Sequence, residues 1–257
     1  MGTISYEAKK EIAFLTIQSP PANALSSKLL NDLSEKLDLI EKDKMIKAIV
    51  LHGEGKFFSA GADIKEFTNL QHSSDYESLS RNGQELFDRI EAFPIPVIAA
   101  IHGAALGGGL ELAMSCHIRL VTESAVLGLP EMTLGIIPGF AGTQRLPGYV
   151  GTAKAYEMIL TGEPIDGKEA VRCGLANSVA GEEELIAESV KLAEKIAAKS
   201  KPAIQQIMNL IPFAKTGQFS EGIKAEAKAF GDIFGSEDAK EGVHAFLEKR
   251  KPNFQDK

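Results

Sequence analysis

Tryptophan is absent from this 257-residue chain and the aromatic fraction is only 7%, which weakens a reading as a sugar hydrolase working through paired carboxylates. Cysteine occurs twice, at Cys116 and Cys173, far apart and without metal-ligand spacing. That pattern suits thiols in a reducing compartment better than a disulfide or a zinc site. Excess positive charge is missing too: the net charge is −7, and binding of nucleic acid or anionic membrane draws on clustered Lys and Arg. No basic stretch leads into an apolar run and a small-residue cleavage site. The most apolar segment, residues 95–105, is too short to cross a bilayer and is interrupted by Pro96, His102 and Gly103. The expectation is a cytoplasmic protein with neither nucleic acid nor membrane as a partner. GxSxG, GxxxxGK[ST] and GxGxxG are all absent, which argues against a serine hydrolase and against a nucleotide-phosphate loop.

What is present is the composition of a globular protein, 44% hydrophobic and 25% charged. Residues 11–17, 47–52, 96–101, 117–121 and 125–127 read as strands, most of them continuous apolar runs suited to burial on both faces. Between them, Leu25, Leu29, Leu33, Leu37 and Ile40 form one helical stripe, and Leu79, Leu86, Phe87 and Ile90 another. After about Gly148 the strands fade. Residues 150–161, 166–173, 182–199, 201–214, 219–234 and 236–250 read as helix, with Asp166 and Glu169 spaced as a capping box. The organisation is an α/β core followed by a helical C-terminal region whose apolar faces either cover the core or build a subunit interface.

Three stretches can carry chemistry. In Gly103-Ala104-Ala105-Leu106-Gly107-Gly108-Gly109-Leu110-Glu111, successive glycines lie between a strand and a helix-like run. There the backbone can approach a ligand and aim unpaired N–H groups at an anion. Glu111, three residues after Gly108, shares its helix face. A tight packing turn followed by a solvated glutamate fits the same residues. In Leu129-Pro130-Glu131-Met132, Glu131 is presented from a loop at a strand end, where an ordinary exposed glutamate is equally at home. In Lys56-Phe57-Phe58-Ser59-Ala60-Gly61-Ala62-Asp63-Ile64-Lys65, small residues follow a strand and leave backbone N–H groups accessible, or merely connect strand to helix.

Together, Phe58-Ser59-Ala60-Gly61-Ala62-Asp63-Ile64-Lys65, His102-Gly103-Ala104-Ala105-Leu106-Gly107-Gly108-Gly109-Leu110-Glu111-Leu112, Pro130-Glu131 and Gly135-Ile136-Ile137-Pro138-Gly139-Phe140-Ala141-Gly142-Thr143-Gln144-Arg145-Leu146 resemble the enoyl-CoA hydratase/isomerase (crotonase) family. The similarity continues through Thr161-Gly162 to Ala245-Phe246-Leu247-Glu248-Lys249-Arg250-Lys251-Pro252, and so runs over nearly the whole chain. The resemblance implies a ββα spiral core, residues 1–195, and a C-terminal helical trimerisation region, residues 196–257. It implies homotrimers or dimers of trimers, and neither metal nor redox cofactor, coenzyme A being part of the substrate. It makes the Ala62 and Gly108 N–H groups an oxyanion hole and Glu111 and Glu131 the catalytic carboxylates. Substrate would lie along Ala24, Ala62, Asp63, Ile64, Lys65, Gly108, Pro130 and Gly139, with Lys56, Lys65 or Lys249-Arg250-Lys251 available for its phosphates.

Retention of both glutamates favours hydration of a 2-enoyl-CoA, with fatty-acid β-oxidation the expected setting. In the expected mechanism ionised Glu111 activates water and protonated Glu131 delivers a proton to C2. A CoA-thioester isomerase using one glutamate and a non-catalytic acyl-CoA-binding scaffold are the alternatives. Chain-length preference is expected to depend on pocket depth and on the stretch 68–77.

Overall fold

A computed structural model describes residues 2–68 and 72–257. Of the stretch 68–77, residues 69–71 lie outside the described residues. The chain opens with an antiparallel pair, β1 (Thr3–Lys9) and β2 (Ile12–Gln18). Helix α1 (Ser27–Lys42) follows, its first turn capped by the Ser26 hydroxyl, which accepts from Leu29 N. Its stripe Leu29, Leu33, Leu37 and Ile40 is buried as the spacing requires. Then come β3 (Ala48–Gly53), the short α2 (Ile64–Phe67), α3 (Ser73–Glu91) and β4 (Val97–Ile101).

The next two strands each belong to a different sheet from their predecessor. β5 (Ala104–Leu106) precedes α4 (Gly108–Ser115), and β6 (Ile118–Thr122) precedes β7 (Val126–Gly128) and a 3₁₀ turn, Pro130–Leu134. β1, β2, β3, β4 and β6 lie side by side in the main sheet, parallel after the first pair, while β5 and β7 pair in a second, three-stranded sheet. This strand, strand, helix progression is the ββα spiral. Earlier turns are marked by single bridges, Leu25 with Ala62 and Ser59 with Ala105.

Side-chain alternation shows why the central strands read as unbroken apolar runs. Ile49, Leu51, Val97, Ala99 and Ile101 face the larger core with α1, α3 and α4. Ala48, Val50, Ile98 and Ala100 face a second core closed by Leu185, Ala193 and Ala197.

Beyond the 3₁₀ turn come α5 (Gly142–Val150), α6 (Thr152–Thr161), β8 (Ile165–Asp166), α7 (Gly167–Arg172), β9 (Ser178–Ala180), α8 (Leu185–Ala197), α9 (Lys201–Leu210), α10 (Pro212–Lys215), α11 (Phe219–Phe234) and α12 (Glu237–Leu247). The strands therefore do not end near Gly148. β8 pairs antiparallel with β7, and β9 extends the main sheet beside β6. Only half of the expected capping box forms: Asp166 accepts from Glu169 N, but the Glu169 carboxylate turns to Arg172. The expected division at 195/196 falls inside α8.

The C-terminal tail is tied back to the core. Buried Asp238 accepts from Gln255 N and Asp256 N, and buried Lys47 pairs with Glu11 and Asp256. No helix among the described residues is long and apolar enough to cross a membrane. Both cysteines are free thiols, and among the described residues no group of three or more His, Cys, Asp and Glu is placed to hold a metal ion.

Candidate active site

The spiral brings three separated stretches to the N-terminus of α4. Leu25 N donates to Gly61 O (2.8 Å) and Asp63 N to Leu25 O (3.1 Å), so Ala62, between these two bonds, keeps its own N–H on the opposite side. Ser59 bridges to β5 in the same manner, with Ser59 N on Ala104 O and Leu106 N on Ser59 O, both at 3.0 Å. The loop is thereby laid against α4. A Cβ on Gly108 would stand 3.2 Å from Ala62 N, and one on Gly61 would stand 3.4 Å from Gly108 N. Among the described residues neither the Ala62 nor the Gly108 N–H donates to a protein acceptor. Two neighbouring donors, one at a helix N-terminus, are what an oxyanion needs.

Gly107 makes the approach possible on the other side. It holds φ 51° and ψ −127°, a conformation open to glycine, and a Cβ there would lie 2.9 Å from Glu131 Oε1. Glu131 stands in the 3₁₀ turn with its Oε2 buried and without a hydrogen-bond partner. Burial pushes its carboxyl above the ordinary carboxylate range, although its own backbone N–H opposes the shift.

Glu111, one turn into α4, is 1% exposed. Its Oε1 accepts from Gly142 N at 2.7 Å and Phe140 N at 2.8 Å. Ala141, with φ 71°, turns the chain so that both N–H groups converge on one oxygen. Burial raises the Glu111 carboxyl to about 7. The charge of Glu131 adds to the rise, while the two N–H donors and the charge of Arg145 oppose it. Two carboxyls, both displaced upward, therefore stand close to the Gly107-Gly108 turn that brings the two free N–H groups together.

The remaining expected site residues divide in two. Ala24 lies in the strip paired to residues 61–63, Gly108 opens α4, Pro130 begins the turn that carries Glu131, and Gly139 immediately precedes the Phe140 donor. Asp63, by contrast, is engaged in the fold: its side chain accepts from Lys65 N as the cap of α2, and its N–H serves Leu25. Ile64 and Lys65 face outward. Of the terminal basic cluster, Arg250 is engaged with Glu241 and Glu248.

Several organising residues carry no expectation from sequence. Asn23, buried with φ 53°, donates to Glu54 O and Phe57 O and accepts from Ser19 N. Ser59 Oγ donates to Asn23 O and accepts from Gly61 N. Arg145 joins Phe140 O to Asp88 and Glu91. Asn23 follows Ser19-Pro20-Pro21, a turn signal that points to its bend. The Phe140 and Gly142 donors are backbone groups and leave no side-chain signature.

The sequence and the fold place the chain in a known family. The chain is a member of the enoyl-CoA hydratase/isomerase family, whose model matches residues 7–257. It is 57% identical over 256 residues to a Bacillus subtilis protein named probable enoyl-CoA hydratase, covering 99% of both chains. To the crotonyl-CoA hydratase of Syntrophomonas wolfei it is 40% identical, covering 98% of this chain and 97% of that protein. The crystal structure of an enoyl-CoA hydratase from Bacillus anthracis superposes with a TM-score of 0.95 at 36% identity, over 99% of this chain and all of the other.

Proposed function

We propose that the protein adds water across the 2,3 double bond of trans-2-enoyl-CoA to give 3-hydroxyacyl-CoA. The observation that carries this reading is the pair of carboxyls, Glu111 and Glu131, facing two unengaged N–H groups. Attack of water on C3 moves negative charge onto the thioester oxygen, and the Ala62 and Gly108 N–H groups receive it. One such donor is worth about 3 kcal/mol in comparable sites. Water is a weak nucleophile and C2 needs a proton, so an acid and a base are both required.

The two glutamates suit different roles. Glu111, whose Oε1 accepts from two N–H donors that oppose the burial-driven rise of its carboxyl, is the carboxyl that, ionised, takes the proton of water. Glu131, whose buried Oε2 meets no donor, is suited to carry the proton it delivers to C2. An isomerase needs one carboxyl and no water, and a mere acyl-CoA binder needs neither.

Substrate is proposed to run along Ala24 and the Ala62, Asp63, Ile64, Lys65 strip, past Gly108 and Pro130, with its acyl chain toward Gly139. Asp63 then contributes position rather than its carboxylate. The reaction calls for no metal or redox cofactor, and coenzyme A enters with the substrate. Residues 196–257 are proposed as the region through which homotrimers, or dimers of trimers, assemble. Exposed Ile207, Ile211, Phe219, Ile223 and Phe230 line an apolar groove of about 510 Å³ there. Fatty-acid β-oxidation is the proposed setting.

The test is loss of enoyl-thioester absorbance on mixing protein with crotonyl-CoA, followed by product identification. Formation of 3-hydroxybutyryl-CoA is expected. Migration of the double bond in a 3-enoyl-CoA, without hydration of any 2-enoyl-CoA, would assign the isomerase instead.

A further inference from the structure

The loop that holds Glu111 is itself held by one face of α3. The Gly139 carbonyl accepts from Ser80 Oγ and from Gln84 Nε2 (2.9 Å), and Gln84 Nε2 also donates to Ser80 Oγ (3.1 Å). Between them, Gly83 lets the Phe140 ring lie against the helix, since a Cβ there would stand 2.3 Å from the ring. Phe87 meets the same ring edge-on at 5.4 Å. One turn further, Asp88 and Glu91 grip Arg145, whose Nη1 donates to Phe140 O at 2.9 Å. Positions 80, 83, 84, 87, 88 and 91 are a single helical stripe. On an amphipathic helix that stripe would ordinarily be apolar, and a mid-helix glycine costs about 1 kcal/mol against alanine. This face instead matches the polar backbone of the loop.

The geometry points to Ser80 and Gln84 as positioning residues for Glu111: by fixing the Gly139 carbonyl they aim the Phe140 N–H, at the other end of the same planar peptide, at the Glu111 carboxylate. A trans peptide is rigid, with C=O and N–H pointing in opposite directions, so two donors on the oxygen orient and polarise the N–H. The charged groups acting on Glu111 are Glu131, from the 3₁₀ turn, and Arg145, from α5. Ser80 and Gln84 are neutral, so replacing them alters hydrogen bonding while leaving the site's charge intact. The burial that lifts the Glu111 carboxyl is opposed by the Phe140 N–H, and that opposition weakens when the peptide is no longer held.

This inference rests on the hydratase reading, and the experiment separates the two. Ser80→Ala, Gln84→Leu and Ser80→Thr are made in the full chain. Crotonyl-CoA hydration is followed across pH, and the glutamate carboxyls are titrated by carbon-13 NMR, with Glu111→Gln assigning the Glu111 signal. In Ser80→Ala and Gln84→Leu the Glu111 midpoint and the acid limb of kcat are expected to move up by about half a unit to one unit. Near neutral pH kcat is expected to fall about two- to fivefold with KM changed less than about twofold, the loss shrinking in base. Ser80→Thr, keeping a hydroxyl, recovers the midpoint lost in Ser80→Ala. A uniform fall in kcat with an unmoved Glu111 midpoint would overturn the inference, as would a rise in KM alone. Should the midpoints move while the wild type fails to hydrate any enoyl-CoA, the positioning role stands and the proposed reaction falls.

Discussion

Helix α4 spans eight residues, and its two ends treat buried polar groups in opposite ways. At the C-terminal end, buried Arg119 donates to Ala113 O, Cys116 O and Leu175 O and lays its guanidinium over the Tyr149 ring at 4.3 Å. The Tyr149 hydroxyl takes Met114 O, Ser115 Oγ takes Leu112 O, and the His117 ring is fixed between Val97 N and Glu91 O. A cation meets the carbonyl end of the helix, as its dipole favours. At the N-terminal end, among the described residues, the Gly108 and Ala62 N–H groups find no protein acceptor and Glu131 Oε2 has no partner. Such groups cost stability unless something absent from the folded chain meets them, and in the proposed reaction a thioester oxygen, water and the α-carbon would be those partners. An unpartnered atom alone does not mark a site: Thr122 Oγ1 is also buried without a partner. The mark is the coincidence of free donors with two carboxyls displaced in the same direction.

The contrast can be broken most forcefully at the carboxyls. Glu111→Gln and Glu131→Gln keep shape and remove acid–base function, so each should lower kcat for crotonyl-CoA by about 10²–10⁴ with the fold intact by circular dichroism. Full activity in either variant would remove that residue from the chemistry.

The two ends should also bend the pH-stability curve in opposite senses. Glu111 titrates at about 7 in the folded chain against an ordinary 4.5, so between those values the native state holds a proton that the unfolded state has lost. Stability then falls as pH rises through this window, by about 3 kcal/mol. His117, pushed by burial to about 4 against an ordinary 6.5, stays neutral in the folded chain where the unfolded chain is protonated. Stability falls as pH drops from 6.5 through 4, again by about 3 kcal/mol. Over the shared range of about 4.5 to 6.5 the two slopes oppose each other, so urea unfolding across pH should show Glu111→Gln leaving a net rise of stability with pH there and His117→Asn a net fall. A curve left unchanged by either substitution would contradict the assignment.

Gly108→Ala sharpens the comparison between the two N–H donors. Its Cβ would sit 3.1 Å from the Phe140 ring and 3.2 Å from Ala62 N, obstructing the oxyanion position. A fall in kcat of about 10²-fold with KM less affected is expected. At the satisfied end, Cys116→Ala should cost about 1 kcal/mol of stability with unchanged kcat. The wild-type Cys116 thiol, pushed by burial to about 12, should resist iodoacetamide in the folded protein.

How far the sequence reveals this depends on what each segment is buried against. β3 and β4 are legible because both faces are covered, so nearly every residue is apolar. β1 is an exposed edge strand, and β5, β8 and β9 are two or three residues long. Their pairing is fixed by contacts distant in the chain rather than by local pattern. The α3 stripe is legible at Leu86, Phe87 and Ile90, but Leu79 is only half-buried and the helix grips the loop that holds Glu111 through Ser80, Gly83 and Gln84. Hydrophobic periodicity does not report a helix face built to bind backbone. Glu111 stands out through its glycines, whereas Glu131 becomes legible only as half of a pair. The two N–H groups that hold Glu111 belong to Phe140 and Gly142, and their side chains say nothing of that task.

The most direct test of the account is a double-mutant cycle on Glu111→Gln and Glu131→Gln, read as kcat for crotonyl-CoA hydration with the product identified. If the two carboxyls act as one acid–base unit, the double variant should be scarcely slower than either single variant, with a coupling of about 2 kcal/mol or more. Additive losses, or a double variant that still hydrates at near wild-type rate, would contradict it.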